Sequence, residues 1–165
     1  MKIKYILLAM LMVNVGWAAD KPVELKQKEK GLWATEFEIN PFVAYRSEKL
    51  GRFDDMGAGL AAQYNFNKYV GIQAEAESFN NPADGPLVER VGTSFVAKYP
   101  IKRFAPLFLI GAGYNPHSKA WDYASGGGVM FKFSRNFGAV VDTRILLNNE
   151  GGREHLSRFG MSLSF

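Results

Sequence analysis

The 165-residue chain contains no cysteine. That excludes a disulfide scaffold, a thiolate metal site, a cysteine nucleophile and a lipid-anchored N-terminal cysteine. Beyond its first 20 residues the chain also lacks any apolar run approaching the roughly 20 residues of a spanning helix, which argues against a helical membrane protein. No segment carries a clean helical period. No cluster of Lys and Arg interleaved with aromatics forms the basic groove of a nucleic-acid binder, so no nucleic-acid partner is expected. The length fits a single domain.

Glycine and aromatics, by contrast, are abundant: 17 Gly, 3 Trp, 7 Tyr and 13 Phe. The mean hydropathy is that of an ordinary soluble protein, but it does not exclude a membrane β-barrel, whose strands are apolar on one face only. At the N-terminus, Lys2 and Lys4 precede the apolar run Tyr5 to Val15, and Gly16-Trp17-Ala18 spaces small residues two apart. This is the pattern of a secretory signal peptide, residues 1–19, cleaved after Ala18 or Ala19. Its removal takes Lys2 and Lys4 and leaves 18 basic against 16 acidic side chains, a mature charge of +2. Residues 20–34 read as a polar periplasmic N-terminal tail, and 35–165 as the folded domain.

That domain alternates with period two. Phe37, Ile39, Pro41, Val43 and Tyr45 share one face, and Glu38, Asn40, Phe42 and Ala44 the other. The same reading holds for segments near 58–66, 70–77, 93–99, 128–133, 137–145 and 158–165; Phe104–Tyr114 is apolar on both faces, which leaves its orientation open. Eight strands result. Tight turns at Asn65–Lys68, Pro100–Arg103 and Ser134–Asn136 alternate with longer polar stretches at Arg46–Asp55, Asn80–Glu89, Asn115–Asp122 and Asn148–Glu154. The fold class predicted is an all-β, eight-stranded antiparallel up-and-down transmembrane β-barrel, with both termini and the tight turns on the periplasmic side. A soluble lipocalin-like barrel has the same strand number but an apolar interior. Here the second face carries Glu38, Glu75, Glu77, Lys98, Lys132, Asp142, Arg144 and Arg158 among small residues. So many charges do not form a soluble core. They fit the lumen of a membrane barrel, where opposite charges pair across a space about as wide as side chains.

Aromatics cluster at the tight-turn ends of strands. Tyr64, Phe66, Tyr69, Tyr99, Phe104, Phe131, Phe133 and Phe137 are placed there as an interfacial girdle, with Tyr45, Tyr114, Trp121 and Tyr123 marking the other rim more sparsely. The terminal run Arg158-Phe159-Gly160-Met161-Ser162-Leu163-Ser164-Phe165 resembles the last strand of bacterial outer-membrane proteins. Gly57 to Lys68 and Gly111-Ala112-Gly113-Tyr114 are similar to stretches of the OmpA-type and OmpX/Ail-type small β-barrel superfamily, part of what is grouped as the porin family. The resemblance implies that Phe159, Met161, Leu163 and Phe165 form an assembly signal read by the barrel-assembly machinery. It further implies an outer-membrane location, with lipid and lipopolysaccharide as neighbours, and a monomer. The peptidoglycan-binding domain of many OmpA-type proteins is expected to be absent.

Candidate chemistry is sparse. His155 and Ser157 lie two apart on an outward face, where a serine nucleophile and histidine base could deacylate lipid A. Eight-stranded lipid A deacylases carry such a pair on the penultimate strand, followed by Asn; here that strand reads Thr143-Arg144-Ile145-Leu146-Leu147-Asn148, and Ser157 precedes Arg158. His117 stands alone beside Ser118 and Lys119, and Asp54, Asp55 and Asp84 are isolated acids, so no metal site is expected. Gly126-Gly127-Gly128 precedes no helix and gives room to neighbours rather than cradling phosphate. No catalytic residue, metal or cofactor is expected. The function read from the sequence is a structural or surface-interaction barrel with a side-chain-filled lumen; the alternatives are a narrow ion or small-solute channel and, further off, a lipid A hydrolase.

Overall fold

A computed structural model describes residues 31–48, 55–79, 88–149 and 151–165. The signal peptide, the tail up to Lys30, much of the first two long loops, and Asp54 and Asp84 lie outside the described residues.

The eight strands are β1 (Phe37–Ser47), β2 (Asp55–Asn65), β3 (Val70–Phe79), β4 (Arg90–Lys98), β5 (Phe104–Asn115), β6 (Ala120–Lys132), β7 (Phe137–Asn148) and β8 (Arg153–Ser164). Each pairs antiparallel with its neighbours in sequence, and β1 pairs with β8 to close the barrel. Closure gives each of the eight described strands a neighbour on both sides. The end where β1 begins and β8 finishes is the base, and the other is the rim. The base is sealed by the backbone bonds Phe165 N to Phe37 O and Ser164 N to Asn136 O, both 2.9 Å.

Period-two alternation becomes inside and outside. In β5, Phe104, Pro106, Phe108 and Ile110 are exposed while Ala105, Leu107 and Leu109 are buried, which settles the orientation left open by the sequence. Proline has no N–H to give the ladder. At Pro41 the β1–β8 register lapses: it runs Glu38–Ser164 and Ile39–Leu163, then resumes at Phe42–Gly160.

Two of the expected long loops are corrected. Asn115–Asp122 is not a loop: β5 continues to Asn115, β6 starts at Ala120, and only residues 116–119 connect them. The Asn115 side chain accepts from His117 N (2.9 Å) and Ser118 N (3.0 Å), and Lys119 takes a positive φ of 57°, so a tight turn forms from local hydrogen bonding. Asn148–Glu154 likewise contracts to residues 149–152, with Asn148 Oδ1 accepting from Gly152 N at 2.6 Å and Gly151 at φ 87°. At these two connections the rim is as tightly turned as the base.

Gly126 and Gly128 of β6 form part of the interior wall. A Cβ on Gly128 would strike Val141 O and come within 2.6 Å of Asp142 Cα, and one on Gly126 would strike Thr143 O. Outward-facing Gly127 is freer, its nearest contact being Leu107 O at 3.1 Å. Since backbone cannot yield cheaply, Gly128→Ala is expected to destabilise the barrel by about 1–3 kcal/mol and Gly127→Ala by less. Urea unfolding followed by far-ultraviolet circular dichroism checks this; equal midpoints for the two variants would contradict the wall.

Candidate functional site

The inward faces build a layered lumen. At the base, Glu38 Oε1 accepts from Thr35 Oγ1 (3.1 Å) and meets Lys98 Nζ at 3.1 Å and Lys132 Nζ at 3.5 Å. Lys132 Nζ also donates to Ser164 Oγ. Trp33 caps this cluster. Its indole Nε1 donates to Lys102 O at 2.8 Å, and its ring stands 5.9 and 5.8 Å from the two ammonium nitrogens. Residues 31–34, assigned above to the polar tail, therefore include a buried aromatic, only 7% exposed.

Above lies an apolar layer of Val96, Ala105, Leu107, Leu109 and Met130. The main charge cluster follows. Glu75 is its centre and takes bonds from Arg90 Nη1 (2.9 Å), Arg144 Nη1 (2.8 and 2.9 Å) and Arg158 Nη1 (2.7 Å). Asp142 accepts from Arg144 Nε at 2.9 Å and from Arg158 Nη2 at 2.9 Å. Arg90 further reaches Glu77 (2.8 Å) and forks onto both oxygens of Asp122, each bond 2.8 Å. Gln73 Oε1 accepts from Arg144 Nη2 at 3.1 Å, and Ser94 Oγ lies 3.4 Å from Nη1. Arg158 also lies over the Phe42 ring, 4.5 Å from its centroid. A second apolar group of Phe42, Ala44, Ala61, Phe79, Ala124, Leu146 and Leu156 packs together in the lumen, and Arg90 and Asp122 line a cavity with Arg46 and Glu154 of the mouth. At the mouth, Arg46 faces Asp55 (3.1 Å), Glu89 (3.7 Å) and Glu154 (3.9 Å) and lies over Phe79.

All eight lumen residues singled out in the sequence are buried, but they divide into two clusters. Glu38, Lys98 and Lys132 meet at the base; Glu75, Glu77, Asp142, Arg144 and Arg158 meet at mid-height. Sequence reasoning missed Arg90 and Asp122: Asp122 lay in a presumed loop, and Arg90 fell between the loop ending at Glu89 and the strand read from Thr93, whereas β4 begins at Arg90. Parity held the signal: Arg90 shares a face with Ser94, Val96 and Lys98, and Asp122 with Ala124, Met130 and Lys132.

Outside, the aromatic residues of the base form a chain of ring contacts. Tyr64 meets Phe66 at 5.5 Å between centroids, and Tyr69 stacks on Tyr99 at 6.4 Å. Phe104, Phe131, Phe133 and Phe137 follow one another at 4.7, 4.9 and 5.4 Å. Phe159, Met161, Leu163 and Phe165 all project outward from the closing strand. On the same strand the Ser157 hydroxyl lies 3.3 Å from Thr143 Oγ1, and His155 sits across from Ile145 and Ser47. The serine is thus engaged by its cross-strand neighbour. Among the described residues no group of three metal-ligating side chains occurs.

No protein-family model and no curated protein sequence matches the chain. Among solved structures, it superposes on a barrel from the de novo design of transmembrane β-barrels with a TM-score of 0.63 and 15% identity, over 80% of this chain and 97% of the designed one. The N-terminal β-barrel domain of Pseudomonas aeruginosa OprF matches with a TM-score of 0.62 and 13% identity, over 80% and 98% of the two chains. The Neisserial surface protein A, NspA, matches with 0.56 and 13%, over 79% and 98%. The fold is that of the small eight-stranded outer-membrane barrels. At these identities the likeness concerns architecture alone.

Removing one partner from a buried ion pair strands the others without compensation, which costs about 3–5 kcal/mol. Glu75→Gln is expected to lose about that much. The mouth pair Arg46–Asp55, with side chains 25% and 49% exposed, is expected to lose no more than about 1 kcal/mol on Arg46→Ala. Urea midpoints for the two variants test the contrast, and equal losses would mean that the lumen is screened by water.

Proposed function

We propose that this chain is an integral β-barrel of the outer membrane of a Gram-negative-type envelope, with a filled, non-conducting lumen and a structural or surface-interaction role. The observation that carries the reading is the inversion of polarity. Large apolar side chains such as Leu60, Ile72, Phe95, Phe108, Ile110, Val129, Val141 and Phe159 stand exposed around the barrel, while Glu38, Glu77, Lys132 and Arg144 are buried inside it. In water such a belt would be an aggregation surface. In lipid it is the required exterior, and closure satisfies the backbone that lipid cannot.

The remaining features suit that setting. Aromatics ring the base, as interfacial side chains do. The outward Phe159, Met161, Leu163 and Phe165 are available to the barrel-assembly machinery. Outer-membrane lipid and lipopolysaccharide are the expected neighbours, export is through the signal peptide of residues 1–19, and the barrel acts as a monomer without catalysis. A filled lumen argues against conduction, because an ion crossing it would have to part several buried pairs at once.

The protein is expected in the outer-membrane fraction, with different gel mobilities before and after boiling, and it should give no steady current in planar bilayers. Identical migration together with solubility free of detergent would overturn the membrane assignment. Steady single-channel openings would overturn the filled lumen and favour the channel.

A further inference from the structure

Every turn at the base carries positive charge. Lys68 stands in the β2–β3 turn, Lys102 and Arg103 in the β4–β5 turn and Arg135 in the β6–β7 turn, all exposed. None of these cations forms an ion pair among the described residues, and Glu36 is the only described acidic side chain at this end outside the lumen. The rim differs: Glu48, Asp55, Glu89 and Glu154 are mixed there with Arg46, Lys119 and Arg153. The base turns hold themselves by other bonds. Asn67 Oδ1 accepts from Tyr69 N (2.8 Å) and Val70 N (3.0 Å), Ile101 and Phe104 exchange backbone bonds of 2.6 and 2.9 Å, and Ser134 Oγ accepts from Phe137 N at 3.1 Å. The turns also adjoin. Lys98 N donates to Tyr69 O at 2.7 Å, and Lys132 N to Arg103 O at 2.9 Å. The cations therefore follow one another along a single arc from β2 to β7, the arc that carries the aromatic ring contacts of the base. Lys68 Nζ stands 4.9 Å from the centre of the Tyr69 ring, laid along that girdle.

We infer that this arc is a binding surface for the phosphate groups of anionic phospholipids in the leaflet at the base. The inference rests on the outer-membrane reading above, in which the base faces the periplasm and meets a phospholipid leaflet. Interfacial aromatics sit at headgroup level, so cations in the turns beside them stand where lipid phosphates lie. Lysine and arginine reach that level with their stems along apolar surface and their charge in the polar layer. A cation close to an anionic lipid surface strengthens association about fivefold. Arg103 and Arg135 can each donate to two phosphate oxygens at once. Phospholipid phosphate supplies the negative charge that the described residues lack at this end.

The test uses the full chain in phosphatidylcholine nanodiscs at low ionic strength, with phosphatidylglycerol then replacing part of the lipid. Backbone amide signals of residues 67–69, 101–103 and 134–136 are expected to shift, and those of the rim turn 116–119, which meets the same lipid on the other side of the disc, far less. Spin-labelled phosphatidylglycerol should associate at least about fivefold more strongly than spin-labelled phosphatidylcholine. The preference should vanish near 1 M salt, where the screening length is roughly 3 Å. It should also vanish on combining Lys68→Gln, Lys102→Gln, Arg103→Gln and Arg135→Gln, and weaken with Lys68→Gln or Arg135→Gln alone. A wild-type ratio near one, or rim shifts equal to base shifts, overturns the lipid surface, while a gel mobility that changes on boiling leaves the membrane barrel standing. A chain that does not enter nanodiscs overturns both. Larger base shifts from lipopolysaccharide than from phosphatidylglycerol, or the same shifts from inorganic phosphate in a phosphatidylcholine disc, also overturn the assignment to phospholipid.

Discussion

Three arginines from three strands converge on the carboxylate of Glu75, and much of the interior follows from having to accommodate them. Arg90 comes from β4, Arg144 from β7 and Arg158 from β8. One carboxylate cannot offset three buried guanidinium groups. Glu77, Asp122 and Asp142 complete the set, giving four acids to three bases at mid-height. Arginine suits this role because its planar fork makes several directed bonds at once, as Arg90 does on Asp122. The cluster also needs volume. A Cβ on Gly113 would meet Arg90 Nε at 2.5 Å, and one on Gly126 would meet Arg144 Cγ at 2.9 Å. Glycine on the wall and arginine in the lumen are two sides of one packing solution, and they account for part of the high glycine content.

The same constraint shapes the two ends. With mid-height slightly acidic, the base carries the opposite excess, Lys98 and Lys132 against Glu38. Trp33 lies over those lysines with a ring face that attracts cations. An apolar layer separates the base from the mid-height cluster, so the base must balance its hydrogen bonds nearly alone, whereas Arg90 and Asp122 share a cavity with Arg46 and Glu154 of the mouth. Buried pairs of this kind are weak evidence for net stability, since desolvation consumes much of the attraction. What they do is fix register: a slip of one residue in any strand would turn its charges outward and its phenylalanines inward.

The architecture was largely legible in the sequence because a barrel strand writes its two faces in alternate letters. Glu38, Lys98, Lys132 and Arg144, which parity puts on the second face, are buried. β5 resisted because Ala105, Leu107 and Leu109 bury against the apolar layer while Phe104, Phe108 and Ile110 face out, so both faces read alike. The ends of strands were misjudged where polar residues belong to the lumen. Arg90 and Asp122 look like loop residues to a composition argument, yet they are the bidentate pair nearest the mouth. Trp33 was unreadable for another reason: it caps the barrel from outside the strand pattern, and its position depends on Lys102, 69 residues away. Division of the charges into two clusters was equally hidden, since alternation gives the face of a side chain but not its height.

Architecture says little here about role. The designed barrel overlies this chain with a TM-score of 0.63 at 15% identity, so closure, alternation and an apolar exterior are enough to produce the fold without a history of function. What distinguishes this chain from a generic barrel is its own filling. A solute entering from the base would meet Trp33 and the Glu38–Lys98–Lys132 cluster, then an apolar layer, then the Glu75 node with its three arginines. Opening any one of these leaves the next closed, and the mid-height pairs share acceptors, so displacing Arg158 disturbs Arg144 through both Glu75 and Asp142. A path would require several coupled rearrangements together. For a barrel so filled, the surfaces that remain open to contact are the outer wall, the rim and the turns of the base.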